Sequence, residues 1–289
     1  MAMNLFGLPS SEEKAVEYLQ MRGILPSSSQ CDAGHDMKLY FGTAIFWQCS
    51  KASCRKKVSI RKGTFFEDAR LPFVSVLRFF YFWAFELSSI EMCSRELGLC
   101  NKTTIEWNGI IREVITADLM RRKTTKIGGP GETVEIDESV FTKRKNNSGR
   151  VLPQLWLLGG ICRSDGRCFL TQIPDRKAET LLAAIKENVE EGTTIFTDCW
   201  KGYKSEDLED AGFAHFTVNH SYNFVNPEDG THTQNVERMW SALKWRNKRH
   251  RGTARHQIDS YLEEFIWRKM IQPDSPFDRL LDAIKSCNI

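Results

Sequence analysis

The 289-residue sequence has no apolar segment that is both long and free of charge. Its most apolar run, LPFVSVLRFFYFWAFEL (71–87), is of borderline length for a membrane span and carries Arg78 in its middle. A buried helix is the better reading, and no membrane partner is expected. The opening MAMNLFGLPSSEEK lacks the basic start and apolar core of a secretory leader. Without a leader, nine cysteines, an odd number, point to a reducing compartment, where metal ligation or burial explains them better than disulfides. The Asn-x-Ser/Thr matches at Asn101, Asn146 and Asn219 then carry no weight as glycan sites. Excess charge is small as well: net +3 selects no class of partner. Repeats and low-complexity tracts are absent, which leaves an ordinary globular chain with 41% hydrophobic and 27% charged residues.

What is present is unevenly distributed. Residues 244–255 hold six Lys/Arg and no acid, while 187–210 are rich in Asp and Glu. The length allows one large domain or two to three smaller ones. PSSEEKAVEYLQMRGIL reads as a short helix behind a capping box of Ser10 and Glu13. Residues 31–66 read as short strands around a small site, and 71–122 as helical with a break near LGLCNKT. GGPGE (128–132) reads as a domain linker. After it the pattern is βββ-α-β-α-β-α, a mixed α/β layout. The strands lie in TVEIDESVFTKRK, QLWLLGGICRSDG, RCFLTQIPD, GTTIFTDCW and FAHFTVNHS, with closing helices near 233–249, 256–271 and 277–286. Three domains are expected: 1–68, an N-terminal helix and ribbon; 69–127, a helical DNA-binding domain; and 128–289, a catalytic α/β domain with C-terminal helices.

Three constellations carry chemistry. Cys31 and His35, then thirteen residues, then Cys49 and Cys54, give two ligand pairs on tight turns that suit one tetrahedral Zn²⁺. Arg55, Lys56, Lys57, Arg61 and Lys62 follow the last ligand and make a phosphate-contacting module of the ribbon. Residues 87–115 fit a helix-turn-helix whose second helix opens with Lys102, Thr103, Thr104 and Trp107, the part that would enter a major groove. The third is a set of carboxylates. Alternation in VEIDES puts Glu135 and Asp137 on one face and Val134 and Ile136 on the other; Asp198 ends a buried strand, and Glu237 opens a helix. Acids at the ends of apolar strands are costly unless paired or metal-bound, and three of them can hold two Mg²⁺, the clamp of a phosphoryl displacement.

Asp137, Asp198 after 60 residues and Glu237 after 38 more resemble the DDE triad of cut-and-paste DNA transposases. The strings EIDES, TDCWKGY, VNHSYNFVNPEDGTHTQNVERMWSALK and YLEEFIWRK resemble the Merlin superfamily and its bacterial insertion-sequence relatives. So does the amino-terminal order of ribbon, RKGTFFEDARLPF and helix-turn-helix; the likeness runs from about residue 10 to 285. His35 departs from it, standing where relatives often have cysteine. Some bacterial relatives carry Asn as the third residue, so Asn235 is the alternative to Glu237.

The resemblance implies an RNase H-like catalytic domain with Asp137, Asp198 and Glu237 as ligands of two Mg²⁺ (or Mn²⁺). It implies binding of double-stranded DNA at terminal inverted repeats, cleavage of the ends and joining of the 3′-OH to target DNA, by a homodimer or larger assembly. Lys244, Arg246, Lys248, Arg249 and Arg251 supply phosphate contacts beside the metals, and KWRNKRHR a nuclear import signal; a bacterial host would make the location cytoplasmic. The alternatives are a domesticated, non-catalytic DNA-binding protein and another RNase H-like nuclease. Retention of all three acids argues against the first, and the ribbon and helix-turn-helix against the second.

Overall fold

The computed structural model describes residues 5–122, 126–141, 154–218, 233–249, 253–270 and 275–287. Two compact units divide the chain: Met1–Asp118 with Ile271–Ile289, and Leu119–Met270.

In the first unit α1 (Glu12–Met21) is capped by Ser11, whose hydroxyl accepts from the Lys14 N–H at 3.3 Å, one residue later than the expected Ser10. Glu12 turns away from its own helix and accepts from the N–H groups of Phe73 (3.0 Å) and Val74 (2.9 Å). Those are first-turn donors of α2 (Phe73–Ala84), so one carboxylate ties two helices together. The apolar run is this helix: Phe73, Val76, Leu77, Phe79, Phe80, Phe82, Trp83 and Ala84 are all buried. No described helix is long and apolar enough to cross a membrane. Three short antiparallel strands, β1 (Met37–Tyr40), β2 (Phe46–Cys49) and β3 (Lys57–Ser59), form the ribbon. The break in the helical region is a stop at Phe85–Ser89 followed by α3 (Ile90–Leu97). Gly98 then takes φ +65°, a left-handed C-cap that turns the chain into α4 (Asn101–Arg121). The C-terminal helix Pro276–Lys285 belongs to this unit, where Arg22 pairs with Asp278 at 3.0 Å.

The second unit opens on a surprise. GGPGE is not an open linker: Ile127–Gly128 form a two-residue strand, β4, paired in parallel with a later strand at Val189–Glu190. Gly129 donates to Thr193 Oγ1 at 2.8 Å, and a Cβ on Gly128 would lie 2.5 Å from that same oxygen. Glycine is there for close approach as well as for flexibility. Next come β5 (Thr133–Val140), β6 (Trp156–Cys162), β7 (Cys168–Ile173), α5 (Ala178–Asn188), β8 (Val189–Glu190) and β9 (Thr194–Asp198). They are followed by α6 (Ser205–Asp210), β10 (Ala214–Val218), α7 (Gln234–Arg249) and α8 (Ile258–Met270).

The sheet order is β10-β9-β5-β6-β7. β5, β6 and β7 run antiparallel, while β9 lies parallel to β5 and β10 parallel to β9. This is the mixed sheet expected from the order of elements, in the RNase H-like arrangement that the resemblance implies. One face packs Val134, Ile136 and Leu158 against Leu181 and Ile185 of α5. The other packs Leu157, Ile161 and Leu170 against Val236, Met239, Trp240 and Leu243 of α7 and against α8. Two apolar faces covered by helices make three layers.

Candidate active site and metal centre

Each of the three acids owes its position to a different element. On β5, Val134 and Ile136 enter the α5-side core, so alternation turns Glu135, Asp137 and Ser139 toward α7. Asp137 lies opposite Gly159 of β6. A Cβ on Gly159 would meet Met239 Cε and Trp240 Cζ2 at 2.8 Å, so α7 can approach the sheet here only because the side chain is absent. Asp198 is the last residue of β9, and its Oδ1 accepts from the Trp200 N–H at 3.0 Å, which fixes the turn beyond the strand. Glu237 stands exposed in the first turn of α7, with Thr233 Oγ1 donating to its Oε1 at 3.5 Å.

Glu135 holds α7 in place, a role the sequence alone did not assign. It is fully buried. Its Oε2 accepts from the N–H groups of Asn235 (2.8 Å) and Val236 (3.1 Å), and its Oε1 from Asn235 Nδ2 (2.7 Å) and Arg163 Nε (2.7 Å). A carboxylate on a strand thereby caps a helix a hundred residues later in the chain. The Asn235 amide nitrogen is held by this contact. Glu135→Ala is expected to lower stability by roughly 3–5 kcal/mol, because Arg163 loses its buried partner and the helix its cap. Urea denaturation followed through tryptophan fluorescence checks this, and a loss below about 1 kcal/mol would be too small for a buried pair.

Like charges dominate the site. Asp137 is pushed up to about 7, first by burial and then by the neighbouring charges of Glu138, Asp198 and Glu237. Both other acids of the triad are thus near enough to act on Asp137. On the opposite face of β5, Glu138 accepts from the Tyr203 hydroxyl at 2.6 Å and pairs with Arg176. Arg176 in turn lies over the rings of Trp200 (3.9 Å) and Trp156 (4.7 Å). Burial and the Glu138 charge raise the Tyr203 phenol well above its usual range, so it stays protonated and donates. The network braces β5 beside Asp137 and the turn that follows Asp198.

In the first unit, Cys31, His35, Cys49 and Cys54 bring one ligand atom each within 4.8 Å of all the others. His35 Nδ1 lies 3.6 Å from Cys31 Sγ and 3.7 Å from Cys49 Sγ. Gly34, at φ +73°, closes the first turn, with its N–H on the Cys31 carbonyl at 2.8 Å. Arg61, expected among the phosphate contacts, faces inward: it stacks on Phe73 at 4.0 Å and donates to the Leu71 carbonyl at 2.6 Å.

The other DNA-contact candidates separate by exposure. Thr104 is fully buried, and Trp107 packs against Phe65, Phe79 and Phe80 with ring centroids about 6 Å apart. Neither is within reach of a groove; the helical period turns them to the core and leaves Lys102, Ile105 and Glu106 outside. Lys102 pairs with Glu106 at 3.7 Å, and Thr103 is half-buried. Lys244 is half-buried and donates to Ser139 Oγ at 2.5 Å, beside the β5 face that carries Asp137; Lys248 is exposed. The side chains of Arg246 and Arg249 lie outside the described residues, as do Arg251 and the stretch 219–232.

With this geometry in place, comparison with known proteins is decisive. The family described as ISXO2-like transposase domain matches residues 121–269, just over half of the chain. The chain belongs to that family. Its transposase domain takes in β4 to β10, α7 and most of α8, with all three acids. An uncharacterized transposase-like protein of Haemophilus influenzae is 26% identical over 102 residues, 35% of this chain and 80% of that protein. Male abnormal protein mab-31 of Caenorhabditis elegans is 23% identical over 309 aligned positions, 96% of this chain and 68% of that one. Among solved structures, the catalytic core domain of BIV integrase aligns with 52% of this chain and 93% of its own, at 13% identity and a TM-score of 0.35. The HTLV-2 integrase catalytic core domain in complex with magnesium gives 50% and 89%, at 14% identity and a TM-score of 0.31. A chain of the simian T-cell lymphotropic virus intasome aligns over 50% of this chain and about half (49%) of its own, at 18% identity and a TM-score of 0.33.

Proposed function

We propose that this protein is a Merlin-type DNA transposase that binds terminal inverted repeats, cuts at the element's ends and joins the freed 3′-OH to target DNA. The observation that carries the reading is the convergence of Asp137, Asp198 and Glu237: burial first, then the charges of Glu138, Asp198 and Glu237, push the Asp137 carboxyl up to about 7. A transposase domain surrounds them.

The donor set fits divalent cations. Three carboxylates are hard oxygen ligands, and their mutual repulsion is relieved by positive charge between them. Asp137, Asp198 and Glu237 would together hold two Mg²⁺ or Mn²⁺. When bound, such ions neutralise phosphate oxygens and acidify the attacking water or 3′-OH. The protein's own share is positioning. Glu135 fixes the first turn of α7, Gly159 lets that helix approach β5, and the Asp198–Trp200 turn fixes the end of β9. Lys244 and Lys248 offer ammonium groups to the phosphates of a strand lying along α7. The reaction is tested by incubating DNA carrying the element's ends with protein and Mg²⁺. Cleavage that needs both metal and end sequence supports the proposal, and intact DNA under all conditions overturns it.

Zinc is proposed for the Cys31, His35, Cys49 and Cys54 site, whose three thiol ligands and imidazole suit it better than Mg²⁺. Elemental analysis is expected to find about one zinc per chain, lost in a Cys49→Ser, Cys54→Ser double variant. A zinc-free, fully folded wild type would remove the assignment. The ribbon and the α3–α4 pair are proposed as the end-recognition modules, and an assembly of at least two chains as the unit that pairs two ends. The nucleus is proposed as the location, with KWRNKRHR as the import signal.

A further inference from the structure

Apart from Lys57, counted above among the phosphate contacts, the residues on the outer face of the ribbon sheet have no part in any role described so far. Alternation along β1, β2 and β3 sends Met37, Leu39, Trp47, Cys49 and Val58 to one side, and the more exposed residues to the other. On that second side the register builds two parallel rows: Lys38–Gln48–Lys57, and next to it Tyr40–Phe46–Ser59. One row is cationic and polar, the other aromatic. Tyr40 and Phe46 stack with centroids 5.9 Å apart and planes 16° off parallel, and Lys57 Nζ stands 4.7 Å from the Phe46 centroid. Tyr40 is 46% exposed, and Phe41, beside it at the hairpin, 41%.

Charge is one-sided here. Residues 31–66 hold seven Lys/Arg and two acids. Asp32 is paired with Lys56, and Asp36 accepts from Gln30 Nε2 at 3.1 Å, so neither stands in the two rows. The rows lie about 7 Å apart, two residues along a strand. That is the kind of offset that separates the phosphates of a nucleic-acid strand from its bases. An exposed Tyr40 ring and a half-buried Phe46 ring, beside ammonium groups that track a backbone, are the makings of a single-strand surface. A duplex would leave the rings idle, because its base faces are already stacked.

We propose that this face binds an unpaired nucleic-acid strand, with bases on Tyr40 and Phe46 and phosphates at Lys38 and Lys57. The inference does not rest on the proposed reaction; a protein without cleavage activity would give the same binding.

The test uses the full chain without added divalent cation, in fluorescence anisotropy with labelled oligothymidylate of about twenty nucleotides and a random duplex of equal length. Tyr40→Ser with Phe46→Ser is expected to lower single-strand affinity by about tenfold or more and to leave duplex affinity unchanged. Lys38→Gln with Lys57→Gln is expected to flatten the salt dependence of single-strand binding by roughly 1.4 in log–log slope, two contacts at about 0.7 each. Circular dichroism and metal content confirm that each variant is folded. If the aromatic pair proves necessary for folding, Tyr40→Leu, at an exposed ring, carries the same expectation at a few-fold. Wild-type single-strand affinity in the folded variants overturns the proposal. Equal losses on single strand and duplex also overturn it, since the face would then be a backbone contact for double-stranded DNA.

Discussion

Glu237→Gln is expected to reduce DNA cleavage and joining by several orders of magnitude while DNA binding stays at the wild-type level or tightens slightly. The substitution keeps size and hydrogen-bonding capacity and removes one charge. Glu237 is exposed, and the helix beneath it is held by Val236, Trp240 and Leu243, so folding should hardly change. In phosphoryl transfer, metal binding and positioning supply most of the catalysis, so losing a metal ligand removes most of the rate. Affinity survives because a negative charge beside the phosphates has gone. A residue that merely complements the helix dipole predicts another outcome: a loss of roughly 0.3–1 kcal/mol in stability and near-normal activity. Asn235→Ala is the companion measurement. Its amide is bound to Glu135 at 2.7 Å, so the variant should lose stability first and activity only as far as Glu237 is displaced. Full activity in Glu237→Gln together with an inactive, folded Asn235→Ala would transfer the third ligand to Asn235.

The triad elements were legible because each acid sits at a sharp local discontinuity. β5 and β9 are runs of β-branched and apolar residues that end or alternate into a carboxylate, and α7 begins where a polar loop gives way to apolar residues at helical spacing. The clustering of Cys31, His35, Cys49 and Cys54 was legible from spacing alone. What escaped depends on partners distant in the chain. Nothing near Glu135 in the sequence tells that its carboxylate caps a helix beginning at Gln234. GGPGE has the composition of a linker, and only the approach of Thr193 reveals it as a packed turn. In α4, the sequence proposes a recognition helix but not which side of it faces in. That is decided by Phe65, Phe79 and Phe80, which gather around Trp107 and leave Lys102 outside. Ser10 and Ser11 are equivalent caps by composition, and the helix's first hydrogen bonds choose between them. Hydrophobic period finds elements; the pairing of buried polar groups finds the site's support, and it is non-local.

Without metal, the stability of the protein is expected to fall as pH rises from about 4 to about 7, and Asp137→Asn is expected to abolish that fall. The sign follows from the raised pKa. An ordinary Asp ionises near 3.8, whereas folded Asp137 keeps its proton until about 7. Below pH 4 both folded and unfolded chains hold the proton, and Asp137 contributes nothing. Between 4 and 7 the unfolded chain releases it and the folded chain does not, so rising pH favours unfolding; above 7 the penalty is complete. Asp137→Asn has no such proton. At pH 8 in chelator the variant should therefore melt higher than wild type, by on the order of 5 °C, with the two converging near pH 4. Chelation would also remove the zinc proposed for the ribbon, so the comparison is always with wild type under the same conditions. Adding Mg²⁺ or Mn²⁺ reverses the ranking, because the cation stabilises the ionised carboxylate that folding alone penalises. Metal affinity should then rise with pH up to about 7 and level off. Titration calorimetry in buffers of different ionisation enthalpy should detect about one proton released per binding event near pH 6 and almost none at pH 8. The same variant that melts higher should neither bind the ions tightly nor cut DNA. Equal, pH-independent melting of both proteins in chelator, with no proton released on metal binding, would mean that Asp137 is an ordinary solvated acid and would remove the electrostatic basis for the site.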